Sequence, residues 1–479
     1  MVRPAFYRKG KEMNVFDTIA AVSTPRGKGG IAVIRISGPD ALAIGDSVFR
    51  PKNKKPLSET ESNYEVWGDI FAPDVDGGSV NIDDGMGVVF RAPRSFTGED
   101  TVEISCHGGV LITEAVLEAV IAAGARPAMA GEFTRRAFIS GRMTLTQAEA
   151  LGGLLEAKNH RQMILSRTGV SGVLSRRIES LYSQMIDVLS SIYAKIDFPD
   201  EDLGDMGREE IEQTLLRIRE EEAALAATYK IGKAVSEGIR TVICGRTNAG
   251  KSSLYNLIVG REAAIVTDIE GTTRDLLEET VSFGGVTLRI CDTAGLRETD
   301  DKVESIGVER ARGEIKGAEM ILAVFDGTRE PDEDDVKLAK ELSESDATVI
   351  IILNKSDIDN GSCGMTDMLA DVGFSSPIKM SAKNGDGRDT LAGEIERLFI
   401  DGSIDIKYDA VVADARQYAA LIRSIERLDS AIFAMRDGFA LDLCCIDAEG
   451  AMSELGEING KNVSEDIVGA IFSRFCVGK

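Results

Sequence analysis

The chain has 479 residues, 43% of them apolar, with a formal net charge of −24 and a mean hydropathy of −0.05. That length favours two to four globular domains over a single core, and no stretch approaches the ~18 uninterrupted apolar residues of a membrane span. So acidic a chain repels nucleic acid at long range, so any RNA contact must be local or made through a partner.

Seven cysteines occur without a CxxC pair, and the histidines are His107 and His160 alone. This composition excludes a disulfide framework, a histidine-rich metal site and Ser-His-Asp chemistry, and it points to a reducing cytoplasm. The first 14 residues, MVRPAFYRKGKEMN, are basic without an apolar core, which does not fit a secretory signal. They are expected to form an extension before the first strand, with Met13 a candidate start.

Residues 30–37, 64–71, 87–92 and 101–106 alternate apolar and polar side chains between turn residues, and 110–123 has helical periodicity. They predict an α+β domain over 14–124. From 125 to 237 the pattern is helical. Thr144-Leu-Thr-Gln147 has the spacing of a capping box, Pro199 interrupts a helix within IDFPDED, and another helix spans 209–229. A second helical block occupies 410–475, within a segment running from 400 to 479. Between the blocks, over 238–399, strands and helices alternate as in a parallel sheet with crossovers. Domain termini often lie close together, which permits insertion of one domain into another. The expected architecture is multidomain: an α+β N-terminal domain, a discontinuous α-helical domain and an inserted α/β P-loop domain.

The run TVICGRTNAGKSS at 241–253 is a strand, a glycine-bounded loop and a helix start. Gly245-x4-Gly250-Lys251-Ser252 is the P-loop spacing in its required context. Asn248, Ala249, Gly250, Lys251, Ser252 and Ser253 would line the phosphates, with Lys251 on the β and γ groups and Ser252 on magnesium. GTTRD at 271–275 places Thr273 as a magnesium and γ-phosphate ligand. In DTAG, Asp292 would hold magnesium through water, and the Thr293, Ala294 and Gly295 segment would sense the γ-phosphate. Each motif alone could be an ordinary turn; their order and spacing make a nucleotide site. ILNKSD at 352–357 then selects the base. A carboxylate at Asp357 accepts from both N1–H and N2–H₂ of guanine, donors that adenine lacks. Asn354 and Lys355 brace that turn, and Ser381, Ala382 and Lys383 support the base. Magnesium-dependent GTP hydrolysis is the expected activity. Leu296 stands where Ras-like proteins carry the water-orienting glutamine, so another group must position water. Glu304 is an acidic candidate, although by itself it reads as a solvated helix charge.

Beside these motifs the chain carries STPRGKGGIAVIRISG at 23–38, FTGEDTVEISCHGG at 96–109, GEFTRRAF at 131–138, IDFPDED at 196–202, AAIVTDIEGTTRD at 263–275, DTAGLRET at 292–299 and the terminal FCVGK. With them it resembles the MnmE (TrmE) family of tRNA modification GTPases over nearly its whole length. The resemblance implies hydrolysis assisted by potassium, with Asn248, Thr267, Ile269 and Thr272 as its ligands, a charge beside the phosphates that fits transition-state stabilisation. It implies that Glu304 positions the water-activating network, and that Lys251, Thr273 and Asn248 share in catalysis. Arg274 and Arg297 match switch charges. It further implies a tetrahydrofolate site (5,10-methylene or 5-formyl type) at Arg35, Glu103, Arg142 and Lys479, in an N-terminal domain that also dimerises the chain. The implied partners are a second copy, the flavoprotein MnmG and tRNA, in the cytoplasm, and the implied product is tRNA modified at C5 of the wobble uridine. Thr247 replaces the usual P-loop proline, and Arg142 stands where lysine also occurs. Cys476 is a candidate nucleophile by position, but a reduced, semi-buried thiol is the simpler expectation. The competing class is a regulatory or ribosome-assembly GTPase of the Era or Der kind, which would carry a GxxG RNA module or a basic tail after the GTPase domain.

Overall fold

The computed structural model describes residues 17–73, 78–198, 206–260, 279–291, 317–358, 364–400 and 404–478. The chain forms two compact units, Met1–Gly152 with Asn459–Lys479, and Gly153–Ile458.

In the first unit the short alternating runs become β1 (Ile19–Val22), β2 (Ile31–Ser37), β3 (Phe49–Pro51), β4 (Glu65–Pro73), β5 (Ser79–Phe90), β6 (Thr101–His107) and β7 (Arg126–Pro127). They make one sheet in the order β3-β4-β5-β6-β2-β1-β7, antiparallel except for the β1–β7 pair. β5 is longer than its apolar stretch predicts, because Asp83, Asp84 and Gly85 continue the ladder with β4. Period-two alternation sends Ile34, Ile36, Val102 and Ile104 to one face, where α1 (Ala41–Val48) and α2 (Val110–Ala122) cover them in a single core. Arg35 and Glu103 consequently project from the other face. There α3 (Glu132–Ile139) closes over the β1 end through Phe133, which packs with Ile19, Ala21 and Ala128. Thr144 and Gln147 do form the capping box at the start of α4 (Leu145–Glu156): Thr144 N donates to Gln147 Oε1 at 3.0 Å, and Gln147 N donates to Thr144 Oγ1 at 3.2 Å.

The second unit holds α5 (His160–Val170), α6 (Val173–Asp197), α7 (Arg208–Ala227) and α8 (Tyr229–Ser236). Next come β8 (Ile239–Gly245), α9 (Lys251–Val259), β9 (Glu279–Phe283), β10 (Val286–Ile290), β11 (Met320–Asp326), α10 (Glu333–Ser343), β12 (Thr348–Asn354), α11 (Met365–Asp371), β13 (Ile378–Lys379) and α12 (Arg388–Phe399). The helices α13 (Ala415–Arg436), α14 (Leu441–Asn459) and, back in the first unit, α15 (Glu465–Phe472) complete the described elements. The helix expected at 209–229 ends at Ala227, where Thr228 separates it from α8.

The sheet order β13-β12-β11-β8-β10-β9 is parallel apart from the β9–β10 hairpin. Parallel strands buried on both faces read as continuous apolar runs, and all seven residues of β11, MILAVFD, are buried. One face packs on α9 and α12 through Leu254, Leu391 and Ile395, the other on α10 and α11 through Ala339, Leu342 and Leu369. In sequence this α/β domain lies between α8 and α13. The helices α6, α7, α13 and α14 build a separate core around Leu181, Ile218, Leu428 and Leu455. Truncating one of these to alanine costs about 2–5 kcal/mol. Inside that bundle sits Glu222, 0% exposed, whose carboxyl oxygens meet no hydrogen-bond partner of good geometry among the described residues. Burial pushes its pKa up to about 8, which the nearby Ser424 hydroxyl offsets only in part.

Candidate nucleotide-binding site

β8 ends at Gly245 and α9 begins at Lys251, so the intervening turn joins a buried strand to a helix N-terminus. Two glycines are needed there for room as well as for conformation. A Cβ on Gly245 (φ 143°) would lie 2.2 Å from the Val324 carbonyl oxygen, and one on Gly250 (φ 105°) 1.9 Å from Asn354 Nδ2. Asn248 is itself left-handed, with φ 61°, a conformation that asparagine tolerates better than most residues. Backbone N–H groups beside a helix N-terminus make a ready anion site. Lys251 Nζ donates to the Gly245 and Arg246 carbonyls, each at 2.9 Å, folding the ammonium over the loop. Burial lowers the Lys251 pKa from its ordinary value. Ser252 and Ser253 occupy the first turn of α9, the former half-buried and the latter exposed.

One asparagine ties three loops together. Asn354, the last residue of β12, donates from Nδ2 to the Ala249 carbonyl at 2.8 Å and accepts at Oδ1 from Ala382 N at 2.9 Å. Its removal would strand buried backbone groups, at about 1–3 kcal/mol each. Lys355 follows with φ 68°, and its Nζ donates to Asp326 Oδ2 at 2.6 Å. Asp357 is exposed. A Ser381 hydroxyl bond holds its carboxyl below the usual range, assisted by the Lys383 and Lys355 cations. Ser381 and Ala382 are buried, and Lys383 is exposed.

The structure therefore brings Asn248, Ala249, Gly250, Lys251, Ser252 and Ser253 together with Asn354, Lys355, Asp357, Ser381, Ala382 and Lys383. Thr267, Ile269, Thr272, Thr273, Asp292, Thr293, Ala294, Gly295 and Glu304 lie outside the described residues, as do Arg274, Arg297 and Lys479. The sequence reading missed Asp326 and the anchoring of Arg246. That loop arginine bonds Asp332 and pairs with Asp334 at 3.2 Å. Asp332 is the N-cap of α10, in a capping box with Asp335. The only signals in sequence were an acid closing an apolar strand, VFD, and an acid-rich helix start.

In the N-terminal sheet, Arg35 and Glu103 are opposite one another on β2 and β6, and Arg35 Nε donates to Glu103 Oε1 at 2.6 Å. The Arg35 guanidinium also lies 5.6 Å from the Phe96 and Phe133 ring centroids. Arg142 is exposed, with its stem beside Gly98. The terminal segment is tied to the same sheet: Val477 bridges to Ala130, and Ser23 Oγ donates to the Gly478 carbonyl at 3.2 Å. Cys476 is exposed, not semi-buried as expected. Its backbone is held, Gly131 N donating to its carbonyl at 3.4 Å.

Ser252 hydroxyl and Asn248 amide oxygens are of the kind that hard cations take, the Gly245 and Gly250 cradle has room where a Cβ would intrude, and Arg35 with Glu103, now paired to each other, would offer a cation and a carboxylate to a pterin.

An anion-binding turn linked through a single asparagine to an Asn-Lys-x-Asp turn, on a doubly wound sheet, places this chain among the P-loop GTPases. The family description "GTP-binding protein TrmE N-terminus" matches residues 18–142, and "MnmE helical domain" matches residues 145–476. The tRNA modification GTPase MnmE of Heliobacterium modesticaldum is 42% identical over 470 residues, covering 97% of this chain and 100% of that protein. Its namesakes from Ligilactobacillus salivarius and Desulforamulus reducens are each 39% identical, covering 97% of this chain and 98% and 99% of theirs. The chain belongs to the MnmE family of tRNA modification GTPases.

Proposed function

We propose that this chain is a magnesium- and potassium-dependent GTPase which, as a cytoplasmic homodimer working with the flavoprotein MnmG, modifies C5 of the wobble uridine of certain tRNAs from a tetrahydrofolate one-carbon donor. The observation that carries the nucleotide half is the Asn354 link, which couples the phosphate loop to the base turn through Ala249 and Ala382. Lys251, on leaving the loop carbonyls, neutralises the β and γ phosphates; Asp357 accepts from the guanine edge. Magnesium and potassium, held by Ser252 with Thr273 and by Asn248 with Thr267, Ile269 and Thr272, supply positive charge beside the phosphates. Asp292 and the 293–295 segment register the γ-phosphate, and Glu304 orients the water-activating network.

The one-carbon half rests on Arg35 and Glu103, whose mutual ion pair a folate would have to divide, with Arg142 and Lys479 as further cations. In this reading 14–124 is the folate-binding and dimerisation domain, 125–237 and 400–479 form the helical domain, and 238–399 is the GTPase domain. Relatives named as tRNA modification GTPases, matched over 97% of this chain, support tRNA as the substrate over an Era- or Der-like role.

Two measurements test it. Nucleoside mass spectrometry of tRNA from cells lacking the chain should show loss of the wobble-uridine modification; intact modification removes the tRNA function and leaves the GTPase. GTP turnover should rise at least about tenfold when potassium replaces sodium, and equal rates in the two salts remove the potassium assignment.

A further inference from the structure

We propose that Asp326 is a positioning residue for guanine recognition: it holds the Lys355 ammonium on its own carboxylate, so that this lysine does not occupy the Asp357 oxygens that meet the base. This rests on reading Asp357 as the guanine acceptor.

Asp326 closes β11 as Asn354 closes β12, and the two are opposite in the parallel register. Gly327 N donates to the Asn354 carbonyl at 3.0 Å, so the chain leaving β11 is fastened to the chain entering the base turn. The Asp326 side chain is 12% exposed, and both carboxylate oxygens are engaged. Its Oδ1 accepts from Thr328 N at 3.0 Å and Thr328 Oγ1 at 2.6 Å, and its Oδ2 accepts from Lys355 Nζ at 2.6 Å. Thr328 thus fixes the carboxylate, and the carboxylate fixes the lysine.

Lysine carries a compact charge on a flexible stem. From residue 355 it has a second anion in range, Asp357, two positions along the same turn, whose carboxyl the Lys383 and Lys355 cations both help to lower. An ammonium on Asp357 would occupy the oxygens that guanine N1–H and N2–H₂ require. A preset, partly buried carboxylate outcompetes an exposed one for that ammonium, because screening and side-chain entropy weaken exposed pairs. Lys355 also holds a left-handed backbone, φ 68°, at a conformational cost.

Asp326→Asn keeps an acceptor for Thr328 and removes the charge. In the full-length protein it should raise KM for GTP and the Kd for GDP about tenfold, while kcat at saturating GTP moves less than about twofold. In a Lys355→Gln background the same substitution should change the Kd less than about twofold, because there is no ammonium left to hold. Thr328→Ala, which loosens the turn and keeps the carboxylate, should cost less than about threefold. An unchanged Kd in Asp326→Asn overturns the inference. So does an equal loss in the Lys355→Gln background, or a loss in Thr328→Ala as large as that in Asp326→Asn, since each would mean that Asp326 only braces the turn. If Asp357→Asn fails to shift preference toward xanthosine triphosphate, the guanine reading itself falls; if it shifts and Asp326→Asn does not respond as stated, only this inference falls.

Discussion

In the α/β domain the anion-binding turn is backbone held in unusual conformations, whereas in the N-terminal sheet the candidate folate pair Arg35 and Glu103 consists of side chains on regular strands. The first kind of site constrains which residues can stand there at all. Gly245 and Gly250 have no room for a Cβ, and Asn248 and Lys355 carry positive φ. The second kind constrains only the direction in which a side chain points, which alternation along β2 and β6 already provides. A backbone-built site should therefore fail abruptly on small changes, and a side-chain-built site should lose affinity in steps.

The sharpest contrast comes from Gly250→Ala. A single methyl group driven to 1.9 Å from Asn354 Nδ2 displaces either the loop or the asparagine, and GTP turnover should fall about a thousandfold. A fall of less than about tenfold would mean that the cradle yields and the contrast is false. Asp357→Asn should swing the preference between guanosine and xanthosine triphosphates by about a hundredfold, read as the ratio of kcat/KM values. Unaltered selectivity would place base recognition elsewhere. Arg35→Gln should weaken 5-formyl-tetrahydrofolate binding by about tenfold, measured by calorimetry. Wild-type affinity there would show that the Arg35–Glu103 pair only staples two strands.

The same contrast explains what could be read in advance. The P-loop and base turn were legible because glycine spacing and the Asn-Lys-x-Asp order are demanded by geometry that few other residues satisfy. The parallel sheet with crossovers was legible in the alternation of strands and helices over 238–399, and Thr144 to Gln147 as a reciprocal cap. Arg35 and Glu103 were not readable from pattern: in IAVIRIS and TVEISCH each is one polar residue in an alternating strand, and only the family resemblance singled them out. Asp326 and Asp332 escaped because their partners, Lys355 and Arg246, lie 29 and 86 residues away in sequence. No local spacing records such a pairing. The separation of α7 from α8 at Thr228 was also hidden, since no glycine or proline marks it.

Glu222 has a consequence for the whole helical bundle. A carboxyl group buried without a well-placed partner among the described residues is accommodated as the neutral acid, so the bundle takes up a proton as it forms in the pH range that opens at the group's ordinary value of 4.5. From there to about 8, folding works against an ever scarcer proton. The melting temperature of the bundle should accordingly decline across that span, level off above it, and lose this slope when the acid is replaced by the amide in Glu222→Gln. In an otherwise acidic molecule, this one carboxyl makes alkalinity the direction of weakness.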